Sequence, residues 1–314
     1  MPERTDTMTV ASNINGNPMS KIKGPFVAIV TPFDDQEEVN LAALTRQVNR
    51  QAKAGNGVFC AGTNGEFYTL SFEEKVKLAK TCVEAAAGRV PVLAHIGEIS
   101  THQTIALGKA IETLGVKAVS VVTPSFIACS QSELVTYYTR VADALSVPVY
   151  LYNIPARTGN KIEPETAAQL ADHPNIIGIK DSAGSQESLD GFLAIARARD
   201  DFDVLVGPDH LILHGLKNGA SGCISGLGNI APLTLNAIWT AFSAGDVAEA
   251  EKQQAHYGEL RKALYAHGFP PTMVKRALRL AMADVGRSRG PAIVSDEVDA
   301  AVAIVSAKFA EAVA

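Results

Sequence analysis

The feature that most restricts the fold of this chain is a row of eight short apolar segments that alternate with helical patterns. Most of the segments are followed closely by Gly, Pro, Ser or Asn, residues that favour turns. A strand buried on both faces is apolar along its whole length, as in a parallel sheet. The sequence therefore predicts eight parallel strands, at residues 26–33, 58–62, 92–96, 118–123, 147–153, 176–181, 204–207 and 222–226.

Between these segments, apolar residues recur at the three- and four-residue spacing of a helix with one buried face. The helix predicted from Phe72 is an example, and Ser71 and Glu74 have the spacing of a capping box at its start. Strands and helices in this alternation predict an α/β fold, a (β/α)8 TIM barrel over residues 24–245. An open, doubly wound sheet is the alternative.

After Gly245 the strand pattern stops. Residues 246–314 are predicted to form additional C-terminal helices at 246–267, 271–284 and 295–312. Such an extension could cover the barrel or form a subunit contact, and composition does not decide between the two.

Composition and charge exclude several classes of protein. The net charge of -5 offers no basic field for nucleic acid or an anionic membrane. No segment approaches the roughly 18 apolar residues that span a bilayer. The four cysteines form no C-x-x-C pair, which predicts reduced thiols in a cytoplasmic protein. Residues 1–23 lack the apolar core of a signal peptide and are predicted to be a disordered extension, with Met8 and Met19 as alternative starts.

Catalytic groups of a (β/α)8 barrel project from the carboxyl ends of the strands. Lys180 ends the sixth apolar segment, and strand alternation places it on one face with Ile176 and Gly178. If that face is the barrel interior, Gly178 leaves space beneath the lysine stem. A buried amine is difficult to keep charged, so more of it is free to attack a ketone. A solvated lysine in a strand-to-helix loop is the commoner alternative.

Polar residues at other strand ends extend this candidate site. Tyr152 ends the fifth segment, where its phenol could move protons, although a core tyrosine would fit as well. Thr63 and Asn64 lie in a glycine-bracketed turn whose donors could bind a carboxylate. Arg157 follows Pro155 in a loop and could bind a second carboxylate through two parallel hydrogen bonds.

Metal and dinucleotide sites have little support. His95, His102 and His210 could join nearby carboxylates, but the chain has no H-x-H or H-E-x-x-H motif. No G-x-G-x-x-G follows the first strand either. We therefore expect neither a metal nor a cofactor.

Four stretches at strand ends carry a family resemblance. The chain resembles the dihydrodipicolinate synthase and N-acetylneuraminate lyase family of class I aldolases over about residues 24–290. The stretches are Val30-Thr31-Pro32-Phe33, Gly62-Thr63-Asn64-Gly65-Glu66, Tyr152-Asn153-Ile154-Pro155 and Ile176-Ile177-Gly178-Ile179-Lys180-Asp181.

The resemblance implies that Lys180 forms an imine with pyruvate and that Tyr152 shuttles the proton. Thr63 would hydrogen-bond the tyrosine, and its turn, including Gly62 and Asn64, would bind the pyruvate carboxylate. Further pocket positions of the family match Gly207 and Ile224. The family's usual assembly implies a homotetramer.

Three positions bear on the substrate. Synthases carry two tyrosines after the proline that matches Pro124, and the second reaches into the neighbouring subunit's site to complete a proton relay. Phe126 stands there without a hydroxyl, which disfavours the synthase reaction. Arg157 matches the arginine with which synthases bind the aldehyde's carboxylate, which disfavours sialic acid cleavage. A Phe after Glu66 resembles the family's 2-keto-3-deoxy sugar-acid aldolases.

The sequence thus predicts a pyruvate-dependent class I aldolase, a carbon–carbon lyase acting on a 2-keto-3-deoxy sugar acid. Its partners would be pyruvate and a small aldehyde or keto sugar acid. The first alternative is 4-hydroxy-tetrahydrodipicolinate synthase, which condenses pyruvate with aspartate semialdehyde. A Schiff-base dehydratase or deaminase of the same family follows, and a barrel that only binds a keto acid or a protein partner is the non-catalytic alternative.

Overall fold

The computed structural model describes residues 22–292 and 295–313. The predicted disordered extension lies almost entirely outside these residues. Eight parallel strands close into a barrel in chain order, with β8 paired to β1. The strands are β1 Gly24–Ala28, β2 Gly57–Cys60, β3 Val92–His95, β4 Ala118–Val122, β5 Val149–Asn153, β6 Ile176–Asp181, β7 Asp203–Val206 and β8 Gly222–Ser225. This confirms the predicted (β/α)8 barrel and excludes the open sheet.

Helices surround the barrel and continue after it. They are α1 Leu41–Lys53, α2 Phe72–Ala86, α3 Thr101–Glu112, α4 Gln131–Ala144, α5 Pro155–Thr158, α6 Pro164–Leu170, α7 Gln186–Ala198, α8 Ile212–Lys217, α9 Pro232–Ser243, α10 Val247–Tyr265, α11 Pro270–Ala281 and α12 Asp296–Phe309. The predicted capping box is present, since Ser71 accepts from the Glu74 backbone N–H and Glu74 accepts from that of Ser71. Helices α10, α11 and α12 are the three helices predicted after Gly245, and we call residues 246–313 the C-terminal extension.

The strands divide their side chains between two buried clusters. The inner cluster contains residues from all eight strands and no helix, so it fills the barrel: Phe26, Ala28, Phe59, Leu93, Ala118, Tyr150, Ile177, Leu205 and Ile224. The outer cluster joins the other strand face to the helices and includes Ile176 and Ile179. No helix within the described ranges is long and apolar enough to cross a membrane.

The predicted alternation along β6 is wrong at its start. Val149 of β5 pairs with Ile176, but the next residue, Tyr150, pairs with Gly178, so Ile177 is an extra residue in the ladder. Ile177 therefore enters the barrel, and Ile176 packs outward. An inserted residue reverses the side-chain order on one side of it, which is the usual effect of a β-bulge. Beyond the bulge the alternation resumes.

Gly178 does not leave an empty space beneath Lys180, as the sequence suggested. A Cβ atom there would lie 2.6 Å from Cε1 of Tyr150 and 2.4 Å from the carbonyl oxygen of Asp203. The tyrosine ring and the backbone of β7 already fill that volume. Glycine is required at this position because its neighbours approach closely.

Candidate active site

Lys180 lies at the carboxyl end of β6, between Tyr152 on β5 and Leu205 on β7. Its side chain lies within this end of the barrel, and the residue is only 3 % exposed. The Nζ atom lies 4.0 Å from the ring centroid of Tyr152 and 4.7 Å from that of Phe59. Two aromatic rings thus confine the amine, and such faces attract it when it is charged.

Tyr152 connects this amine to the turn after β2. Its hydroxyl lies 3.0 Å from Oγ1 of Thr63, so the two groups share a hydrogen bond. Tyr152 is buried, whereas Thr63 is half-buried and reaches the open cavity described below. A primary amine that can add to a carbonyl therefore lies beside a phenol that can give or take a proton.

The turn that carries Thr63 and Asn64 is unusually tight. Ala61 and Glu66 both have positive φ angles, 52° and 56°, which L-residues adopt rarely. A Cβ at Gly62 would lie 2.4 Å from the Phe59 ring, so the glycine is needed for close approach. Oδ1 of Asn64 is buried without a hydrogen-bond partner among the described residues. Buried polar atoms are usually paired, and this one is available to a donor that enters the site.

Gly207 and Ile224 belong to the same end of the barrel. The N–H of Gly207 donates to the carbonyl of Asp181 at 2.7 Å, and a Cβ there would meet the Ser182 hydroxyl at 2.0 Å. Ile224 is part of the inner cluster on β8. Both residues are tightly packed, and their place in the substrate pocket stays a prediction.

A cavity of about 630 Å³ opens at the strand-end loops of the barrel. Residues of the strand-end loops and of the C-terminal extension line it, among them Thr63, Tyr68, Thr123, Ser125, Arg157 and Phe269. Tyr152 is joined to the cavity through its hydrogen bond with Thr63, and the Lys180 amine lies against the Tyr152 ring. The volume lies within the range of small-molecule sites, about 300 to 1,000 Å³.

Arg157 is exposed and stands at the cavity wall. Its guanidinium carbon lies 4.6 Å from the ring centroid of Phe269, which precedes α11. The cation–π contact holds the side chain against the C-terminal extension and leaves donors for an anion. Sequence reasoning missed Phe269, because the Gly-Phe-Pro-Pro stretch was interpreted only as a break between helices.

Phe126 lies outside the cavity of its own chain. Its side chain is 97 % exposed, and its φ angle is 73°, which is rare for a bulky residue. Its neighbour Ser125 lines the cavity instead. The strained backbone directs the phenylalanine away from the molecule.

His95 ends β3 inside the barrel. Its ring centroid lies 5.8 Å from that of Tyr152 and 4.7 Å from that of Phe67. Burial, assisted by the positive charges of Lys75 and Lys180, lowers the pKa of His95 to about 3. The imidazole is therefore neutral at physiological pH.

The carboxylates that sequence reasoning placed near histidines are bonded within the protein. Asp181 accepts from Asn153 at 2.8 Å, and Asp209 accepts from Tyr265 at 3.0 Å. Glu66 accepts from Lys275 at 2.7 Å. Within the described residues, no three His, Cys, Asp or Glu side chains are arranged to hold a metal ion.

Comparisons with known proteins agree with this geometry. The model of the "Dihydrodipicolinate synthetase family" matches residues 21–307. The 4-hydroxy-tetrahydrodipicolinate synthase of Geobacter metallireducens is 38 % identical over 259 residues, 82 % of this chain and 88 % of that protein.

Two solved structures show the same fold. Dihydrodipicolinate synthase DapA-2 of Bacillus anthracis has a TM-score of 0.87 at 32 % identity, covering 93 % of this chain and 100 % of that one. YagE, a prophage protein of E. coli K12 solved with pyruvate, has a TM-score of 0.87 at 28 % identity, covering 92 % and 99 %. The chain therefore belongs to the dihydrodipicolinate synthetase family, whose members are carbon–carbon lyases of the class I aldolase type.

Proposed function

We propose that this protein is a pyruvate-dependent class I aldolase that forms an imine through Lys180. The observation that carries the proposal is the arrangement of three groups. The Lys180 amine lies 4.0 Å from the Tyr152 ring, and the Tyr152 hydroxyl lies 3.0 Å from Thr63. Two structural neighbours that were solved in complex with pyruvate support the choice of keto acid.

In the cleavage direction, Nζ of Lys180 adds to the ketone carbon, and Tyr152 gives a proton to the oxygen that leaves as water, which produces a protonated imine and the tyrosine phenolate. The phenolate form of Tyr152 takes the proton from the hydroxyl at the bond to be cleaved. That carbon–carbon bond then breaks, its electrons move into the imine to form an enamine, and an aldehyde leaves. Protonation of the enamine carbon and hydrolysis release pyruvate and restore the amine. The protonated imine is the electron sink, so the proposal requires no metal or cofactor.

The turn of Thr63 and Asn64 would hold the pyruvate carboxylate. The turn follows β2 directly, and Thr63 places it next to Tyr152. Amide donors in a compact turn bind anions well because they are oriented before the ligand arrives. The unpaired Oδ1 of Asn64 would accept a hydrogen bond from the bound adduct.

The partner of pyruvate has two candidates. The curated relatives are named 4-hydroxy-tetrahydrodipicolinate synthase, and Arg157 at the cavity wall suits the carboxylate of aspartate semialdehyde. We therefore place this condensation first. Cleavage of a 2-keto-3-deoxy sugar acid is second, favoured by Phe126, which has no hydroxyl to complete the synthase relay.

The proposal is tested by incubating the protein with pyruvate and sodium borohydride and mapping the adduct by mass spectrometry. We expect one reduced pyruvate adduct on the peptide that contains Lys180. Lys75, which also lines the cavity, is the internal control and should remain unmodified. Labelling elsewhere, or none, would refute imine formation by Lys180. Turnover of aspartate semialdehyde with pyruvate, against cleavage of 2-keto-3-deoxy sugar acids, then decides the acceptor.

We also propose that the protein assembles as a homotetramer. Five large apolar side chains are exposed on the consecutive connections after β2, β3 and β4 or at the start of α2, namely Tyr68, Phe72, Ile99, Phe126 and Ile127. Exposed apolar side chains grouped on one end of a barrel are typical of a subunit contact. Sedimentation velocity of the wild type and of Phe126→Ser tests this, with a smaller species expected for the variant. A monomeric wild type would refute it.

A further inference from the structure

Lys275 of the C-terminal extension forms a buried ion pair with the turn that carries Thr63. Its Nζ atom donates to Oε1 of Glu66 at 2.7 Å, and the two residues are 1 % and 2 % exposed. The backbone N–H of Arg289 donates to the other carboxylate oxygen at 3.1 Å. The ring centroid of Phe33 lies 3.9 Å from the lysine nitrogen. Both of these hydrogen-bond donors to the Glu66 carboxylate thus come from residues after the barrel.

Glu66 ends the tight turn in a left-handed conformation, with φ at 56°. Its N–H donates to the carbonyl of Thr63 at 3.2 Å, and its own carbonyl accepts from the Thr69 N–H at 2.8 Å. A strained backbone of this kind persists only where its surroundings fix it. The ion pair supplies that restraint, because it holds the Glu66 side chain on the side of the extension.

The energetics favour a role in geometry over one in stability. Replacing a buried ion pair by apolar residues often leaves a protein equally stable, because removing both charges from water is costly. Breaking such a pair on one side is expensive, since a lone charge stays buried. A buried pair is therefore best explained by what it positions, and here that is the turn next to Tyr152.

We propose that Lys275 is a positioning residue for the active site, acting through Glu66 on the turn of Thr63 and Asn64. This inference rests on the proposed function, in which that turn binds the pyruvate carboxylate. Burial lowers the pKa of Lys275 to about 8, although the adjacent Glu66 carboxylate opposes the change. The ammonium thus remains largely charged at neutral pH, as the pair requires.

The test is a titration of borohydride trapping against pyruvate in Lys275→Met. Loss of the oriented donors should raise the half-saturating pyruvate concentration about tenfold, the effect of one charge-assisted hydrogen bond. Saturating pyruvate should still label Lys180, because the amine itself is untouched. The matched control is Tyr265→Phe, which removes another hydrogen bond between the extension and a strand-end turn, to Asp209 after β7. It should keep the wild-type value.

A double variant separates positioning from stability. Lys275→Met alone should lower the thermal midpoint, and Glu66→Gln with Lys275→Met should restore most of it by removing the lone charge. Pyruvate half-saturation should stay raised in the double variant. The proposal would be overturned if the double variant recovered both the thermal midpoint and the wild-type pyruvate half-saturation. It would also be overturned if Lys275→Met behaved like the wild type, or if Tyr265→Phe raised the half-saturating pyruvate concentration equally. If Lys275→Met does not fold, the double variant alone decides. An unlabelled wild type would refute the proposed function and this role with it.

Discussion

Replacement of His95 by leucine is expected to remove a defined part of the protein's acid sensitivity. The imidazole is fully buried among the rings of Phe59, Phe67 and Tyr152. Protonation would place a charge in an apolar site near Lys75 and Lys180. For these reasons the pKa of His95 falls to about 3 in the folded chain.

The expected loss of unfolding free energy follows from the difference in the pKa of His95 between the folded and unfolded states. In the unfolded chain a histidine titrates near its ordinary pKa of about 6.5, so below that pH the unfolded state binds a proton that the folded state refuses. Acidification therefore lowers the free energy of unfolding, progressively from about pH 6.5 towards the folded pKa of about 3. Between pH 7.5 and pH 5 the loss is about 2 kcal/mol, at about 1.36 kcal/mol for each pH unit below 6.5.

Urea unfolding at pH 7.5 and pH 5, followed by the fluorescence of Trp239, measures this loss, since the chain has a single tryptophan. His95→Leu should lose about 2 kcal/mol less than the wild type between the two pH values. His102→Leu is the matched control, because His102 is exposed and should leave the pH dependence unchanged. Parallel pH curves for His95→Leu and the wild type would refute the reasoning, whatever their absolute stabilities.

Three further predictions concern the proposed reaction. Tyr152→Phe should lower kcat by about 10²-fold or more in steady-state assays, since general acid–base groups contribute about that much. Arg157→Ala should raise the KM for aspartate semialdehyde about tenfold and leave pyruvate trapping on Lys180 unchanged, because only the second carboxylate loses its donors. Phe126→Tyr should increase synthase turnover if the missing hydroxyl limits that reaction; an unchanged rate would remove the argument for the sugar acid.

The fold could be predicted because each of its strands is indicated by residues that are neighbours in the sequence. Each strand is an apolar run that stops at a turn residue, and eight such runs alternating with helices admit few arrangements. The positions of Lys180 and Tyr152 at neighbouring strand ends followed from the same rule. The two residues are directly paired across β5 and β6. The chemical roles of the two residues could be predicted only with the family resemblance, because a lysine at a strand end is usually solvated.

What the sequence could not predict depends on contacts between distant residues. The bulge at Ile177 arises from the pairing of β6 with β5, and an apolar run of isoleucines looks the same with or without it. The first strand ends at Ala28, earlier than predicted, and there the Asn229 side chain donates to the carbonyl of Ala28 and accepts from the N–H of Val30. Neither the bulge nor the early end of β1 changes the local hydrophobic periodicity of the sequence.

The role of the C-terminal extension is the largest feature that the sequence did not predict. Composition did not decide whether the extension covers the barrel or forms a subunit contact. In the structure it reaches three separate strand-end loops, through Lys275 to Glu66, Tyr265 to Asp209 and Phe269 to Arg157. The first of these meets the turn beside Tyr152, and the last meets the arginine at the cavity wall. The barrel alone thus fixes the lysine and the tyrosine, but the extension takes part in fixing the groups around them. Substitutions of Lys275 and Phe269 should therefore alter substrate binding even though both residues lie far from Lys180 in the sequence.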